Sequence, residues 1–154
     1  MHKLSREELY TLEAYEKHRP AFRARVMEHK AHRRLQLGQN IMLIFEDRLT
    51  MHYQIQEMLR VEKIFTEDGI VEELEAYNPL IPDGQNWKAT MMIEYPDADE
   101  RRAALEQLVG IENRVLAAIG SADPVFAIAD EDLERATDQC IFCASNCRLR
   151  RSRR

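Results

Sequence analysis

The chain has 154 residues, 45% hydrophobic and 32% charged, with a net charge of −5. That balance is globular and long enough to bury a core, and no apolar run approaches the roughly 20 residues of a membrane-spanning helix. Five arginines after residue 147 conceal a body near −10, which argues against nucleic acid as a partner, because affinity there comes mostly from neutralising phosphates.

The opening stretch MHKLSREELY lacks the apolar region and cleavage site of a secretory signal, so the cytoplasm is the expected location. Ser5 with Glu8 three positions on is a capping-box pattern, and Leu9 and Leu12 give a short helical face. The charged stretch from Glu13 to Leu35 has strong helical propensity and is interrupted by Pro20. That proline predicts either a second helix starting there or a kink in a long one. Phe22, Val26 and Met27 supply the expected buried stripe.

Gly38-Gln39-Asn40 reads as a turn, and Ile41 to Phe45 as a strand. Helical spacing returns with Met51, Ile55, Met58 and Leu59, for which Thr50 is the expected cap. A further helix is predicted from about Asp68 to Tyr77, capped by Thr66 and stopped by Asn78-Pro79. Trp87 to Tyr95 has strand composition, and DADERRAALEQLVG is a helix with acidic residues first and Gly110 as its stop. Two short strands follow, joined by a turn around Gly120-Ser121. This order predicts an α+β fold: a mostly antiparallel sheet of about four short strands with four or five helices packed on it, as a single domain over residues 1–137. Residues 138–154 are expected to form an aberrant or disordered basic tail.

Three groups of side chains are candidates for chemistry. Glu46, Arg48, Gln54, Glu57 and Arg60 lie close in sequence, and a carboxylate beside an arginine makes an acid–base pair, an anion clamp or a structural ion pair. His29 and His32, three apart on a helix, have a spacing that can share a metal, although Lys30, Arg33 and Arg34 make this a strongly basic face. Cys140, Cys143 and Cys147 supply three thiols where a structural zinc or iron–sulfur site takes four ligands. The chain has no clustered glycine loop, no GxSxG turn and no cysteine before position 140, so it carries no recognisable catalytic motif and no cofactor is expected.

The stretches LEAYEKHRPAFRARVMEHKAHRR, IFEDRLTMHYQIQEMLRVEKI, EELEAYNPLIP, MMIEYPDADER and LVGIENRVLAAI resemble an uncharacterised bacterial family, domain of unknown function 3501. The resemblance covers roughly residues 3 to 137, and family members commonly read FENR where this chain has Phe45-Glu46-Asp47-Arg48. It implies no catalytic residue. Family genes often neighbour those for rubrerythrin-like and iron–sulfur proteins, which implies a redox or peroxide-stress setting and an accessory or interaction role, with self-association open to it. Members also continue past IADEDLER with a segment like VHFLRFEL. Synonymous codons for Gln139 to Cys147, read from the third base of the first, spell Val-His-Phe-Leu-Arg-Phe-Glu-Leu, so a shifted reading frame from about residue 138 is the expectation.

Overall fold

The computed structural model describes residues 2–118, 120–121 and 123–129, and the backbone of 145–150. It is an α+β fold built as two compact units, residues 1–33 with 46–84 and residues 34–45 with 85–154.

The first unit is helical. Ser5 and Glu8 do form their capping box, but the element that follows is only a turn of 3-10 helix, Arg6–Glu8. The long helix α1 (Leu12–Ala31) starts later, where the Thr11 side chain accepts from the Ala14 N–H. It passes through Pro20 without a break. Pro20 and Glu16, whose carbonyl loses its donor, are both exposed, so water can take the freed acceptor.

Helix α2 (Arg48–Val61) is capped by Asp47 rather than Thr50. Asp47 Oδ1 accepts from the N–H groups of Leu49 and Thr50, both at 3.0 Å, while the Thr50 hydroxyl accepts from the Asp47 N–H at 2.8 Å. An aspartate three residues before a threonine fits both halves of a capping box, and the carboxylate is the better N-terminal partner for the helix dipole. Helix α3 (Glu67–Tyr77) follows and runs into the Asn78–Leu80 turn. Asn78 pins the start of the chain there, accepting from the Leu4 N–H at 2.8 Å and donating to its carbonyl at 2.9 Å. Met51, Ile55 and Leu59 of α2 meet Ile70 and Leu74 of α3, with Leu4, Leu9 and Ile81 closing the cluster. These positions recur every three or four residues, so each helix buries one stripe.

The second unit carries a sheet of order β1-β2-β3-β6, antiparallel throughout. Its strands are β1 (Arg34–Leu37), β2 (Ile41–Phe45), β3 (Asn86–Ile93) and, further on, β6 (Ser145–Arg150). Strand β1 falls in a stretch whose charge and length suggest the end of a helix. It forms because Gly38, at φ +64°, turns the chain back so that Leu35 faces Leu43 and Leu37 faces Ile41. Helix α4 (Ala98–Leu108) is capped by Asp97, which accepts from the N–H groups of Asp99 and Glu100. A second, two-stranded sheet joins β4 (Leu116–Ala117) to β5 (Val125–Phe126). Ala127 packs with Ala89 of β3, alongside Phe45 and Val115. Six residues of the arginine-rich C-terminal segment thus occupy β6, with Cys147 opposite Ala89.

Candidate functional site

The polar residues of the first unit gather at two places along the α1–α2 pair. At one, Glu57 of α2 receives four hydrogen bonds. Arg19 grips it bidentately, from Nε to Oε1 at 2.7 Å and from Nη2 to Oε2 at 3.0 Å. The Tyr15 hydroxyl donates to Oε1 at 2.7 Å, and Arg60 Nη2 to Oε2 at 3.3 Å. The Arg19 hydrogen bonds, helped by Tyr15 and Arg60, outweigh burial and hold the Glu57 carboxyl down to about 2. Burial and the Glu57 carboxylate in turn push the Tyr15 hydroxyl well above the usual phenol range.

At the other, Asp47 Oδ2 lies 2.7 Å from His29 Nε2 and 3.4 Å from Arg33 Nη1. Burial pushes the Asp47 carboxyl up, but the backbone amide at Thr50, the His29 bond and the Arg33 charge outweigh it and leave it below the ordinary aspartate value. The two places share one design. Tyr15/Arg19 and His29/Arg33 are each four residues apart; the first pair shares one face of α1, while His29 sits in its last turn and Arg33 two residues beyond its end. The early pair takes the late carboxylate of α2 and the late pair takes its cap, so the helices run antiparallel with a carboxylate clamped near each end.

Between the clamps the seam is aromatic. Phe22 presents its edge to His52 at 5.2 Å and to Tyr53 at 6.0 Å, and Tyr10 lies nearly parallel to His52 at 6.2 Å. Burial, reinforced by the charge of Arg48, lowers the His52 pKa, so this imidazole is neutral near pH 7.

The five polar residues singled out from sequence do not converge. Glu57 and Arg60 meet, whereas Arg48 pairs with Glu8 and reaches the His2 carbonyl at 3.2 Å. Gln54 instead lies by Tyr77, where it offsets part of the rise that burial gives that hydroxyl's pKa. Glu46 is buried, and its backbone carbonyl accepts from Arg33 at 3.4 Å. His29 is committed to Asp47, and His32 lies just beyond the last turn of α1. Among the described residues, no three histidine, cysteine, aspartate or glutamate side chains come close enough to hold a metal ion. Cys140 and Cys143 lie outside the described residues, and Cys147 is placed only by its backbone in β6.

Tyr15, Arg19 and Asp47 are the residues that sequence reasoning passed over at these places. Their i, i+4 spacing and the D-x-x-T cap were the available signals. Chemically, Glu57 has both oxygens engaged and a pKa far below neutrality, so it is a poor proton acceptor at pH 7. It suits an anchor.

Among the described residues, no helix is long and apolar enough to cross a membrane. No curated protein matches the chain. It is similar to a protein of unknown function from Burkholderia pseudomallei, whose crystal structure superposes with a TM-score of 0.89 at 50% identity. The match covers 99% of this chain and 79% of that one. A family model described as "Protein of unknown function (DUF3501)" matches residues 3–144. Spanning nearly the whole chain, that match shows that the protein belongs to the DUF3501 family.

Proposed function

We propose that this protein is a non-enzymatic accessory domain that binds another protein in a cytoplasmic redox or oxidative-stress setting. The observation that carries the reading is the engagement of Glu57. The Glu57 carboxylate, each of whose oxygens accepts two hydrogen bonds from Tyr15, Arg19 and Arg60, is spent on joining α1 to α2. Large apolar side chains stand at the surface meanwhile. Phe65, in the connection between α2 and α3, is 76% exposed, and Val61 is 61% exposed. Surface aromatics are the residue type that anchors protein–protein contacts.

The redox setting is supported by the family resemblance and its neighbouring genes, and the partner it suggests is a rubrerythrin-like or iron–sulfur protein. The test is isothermal titration of the full chain with such a purified protein from the same genome. Saturable binding that weakens at least tenfold in Phe65→Asp supports the proposal, and no heat with either protein across the micromolar range overturns it. We further propose that residues from about 138 arise from a shifted reading frame, supported by the VHFLRFEL reading. Sequencing the gene through codons 135–154 tests it, and a stop codon in the alternative frame there sinks it.

A further inference from the structure

We infer that the free edge of β1 pairs with β1 of a second copy of this chain, joining two sheets into one across a two-fold axis. The idea deepens the interaction-domain reading and rests on it. Strand β1 has one neighbour among the described residues, β2, and all four of its residues are exposed. An edge strand presents unpaired N–H and C=O groups that template another strand.

The side chains make that edge unfinished. Register lines up Leu35, Leu43 and Met91 in one row and Leu37, Ile41 and Ile93 in the next, on one face. Exposure along the first row rises from 2% at Met91 and 6% at Leu43 to 47% at Leu35. Leu37 is 41% exposed at the end of its own row. The apolar face therefore does not end in a polar border at β1. It stops in mid-row.

A second β1 continues those rows in one register. An antiparallel pair around a two-fold axis perpendicular to the sheet must set some residue opposite its own copy, since opposed residues share a face. Centring on Gln36 sets Leu35 against Leu37 of the other copy, and Leu37 against its Leu35, so all four leucines lie side by side. A slip by one residue moves the centre to Leu35 or Leu37 and leaves a leucine opposite nothing in β1. Charge fits the same register. The two Arg34 side chains then stand four residues apart along the strands, about 14 Å, beyond the screening length of roughly 8 Å at physiological salt. No basic group faces its own copy.

Sedimentation velocity of the full chain over a concentration series tests the proposal, together with single-cysteine variants, made in the full chain with Cys140, Cys143 and Cys147 changed to serine, oxidised in solution and mapped by mass spectrometry. The expected result is a concentration-dependent dimer whose dissociation constant rises at least tenfold in Leu35→Lys/Leu37→Lys. Gln36→Cys should form a 36–36 disulfide at least tenfold faster than Arg34→Cys forms a 34–34 one. A chain that stays monomeric throughout, a dimer indifferent to the leucine changes, or 34–34 links forming as fast as 36–36 links would each overturn it. Because Gln36 is exposed, its cysteine variant keeps the test open should the double lysine variant unfold. Partner titration of the wild-type chain reports separately on the interaction-domain reading, so the two failures are distinguishable.

Discussion

Replacing Glu57 by glutamine removes the charge at the α1–α2 clamp while keeping the side chain's size. In the folded chain the carboxyl ionises at about 2 instead of 4.5. At about 1.4 kcal/mol per tenfold change in ionisation constant, that difference corresponds to an upper bound of about 3.5 kcal/mol at neutral pH. Glu57 is 17% exposed and Arg19 29% exposed, so solvent screens part of the attraction, and about 2 kcal/mol is a fair expectation. The sign follows from a depressed pKa. The stabilisation is present in full above the unfolded value near 4.5 and is lost as pH falls toward 2. Urea denaturation of the wild type and Glu57→Gln, at steps from pH 7 to pH 2.5, measures it. The variant should be about 2 kcal/mol less stable at pH 7, with the gap closing below pH 4.5. The Asp47 carboxyl, also held below its ordinary value, is present in both proteins, so the difference isolates Glu57. A gap that stays constant to pH 2.5 would refute the reasoning, because the loss would then be one of packing and not of charge.

Asp47→Ala should cost about 1–2 kcal/mol, since it removes the α2 cap along with the carboxylate held by His29 and Arg33. Asp47→Asn keeps the cap and should cost less than half as much in the same urea titration. Gly69→Ala ought to destabilise by about 1 kcal/mol although alanine is the better helix former, because its Cβ would stand 2.7 Å from Ile64 Cγ2 and 3.1 Å from Thr66 Oγ1. A rise in melting temperature for that variant would contradict the packing at the start of α3. Gln56→Leu strips the acceptor from the Tyr10 N–H, bonded at 2.7 Å to a fully buried side chain, and should cost about 1–3 kcal/mol. Amide exchange at Tyr10, faster in the variant than in the wild type, is the direct readout.

Periodicity carried much of this fold. The apolar spacing of Met51, Ile55 and Leu59 is the stripe that faces α3, and the Ile41–Phe45 run is β2 as its composition implies. Strand β1 was illegible because Arg34-Leu35-Gln36-Leu37 is short and follows a basic helical stretch, and its pairing with β2 decides its conformation. The cap of α2 was misread by three residues because Asp47 and Thr50 both bond the other's backbone, and sequence alone does not rank them. The clamps were half legible. Glu57 with Arg60 is a local pair, but Tyr15 and Arg19 lie about forty residues away, and only folding of α1 onto α2 brings them to one carboxylate. A sequence window sees neighbours along the chain, not across a helix seam.

The β1–β2 hairpin falls between α1 and α2 in the sequence, and this has a consequence for how the protein assembles and breaks down. Neither compact unit is a continuous stretch of polypeptide, as residues 34–45 interrupt the first and 46–84 interrupt the second. No single truncation can therefore release either one free of residues of the other. Pairing β2 with β3 also closes a loop that contains α2 and α3, so early folding of those helices shortens the span that sheet formation must bridge. A protease cut at Gly38 would leave all the helices of the first unit intact in sequence, yet sever the only covalent tie between α1 and α2. After such a cut, the Glu57 and Asp47 clamps would become contacts between two separate chains, and whether the nicked protein holds together would depend on its concentration.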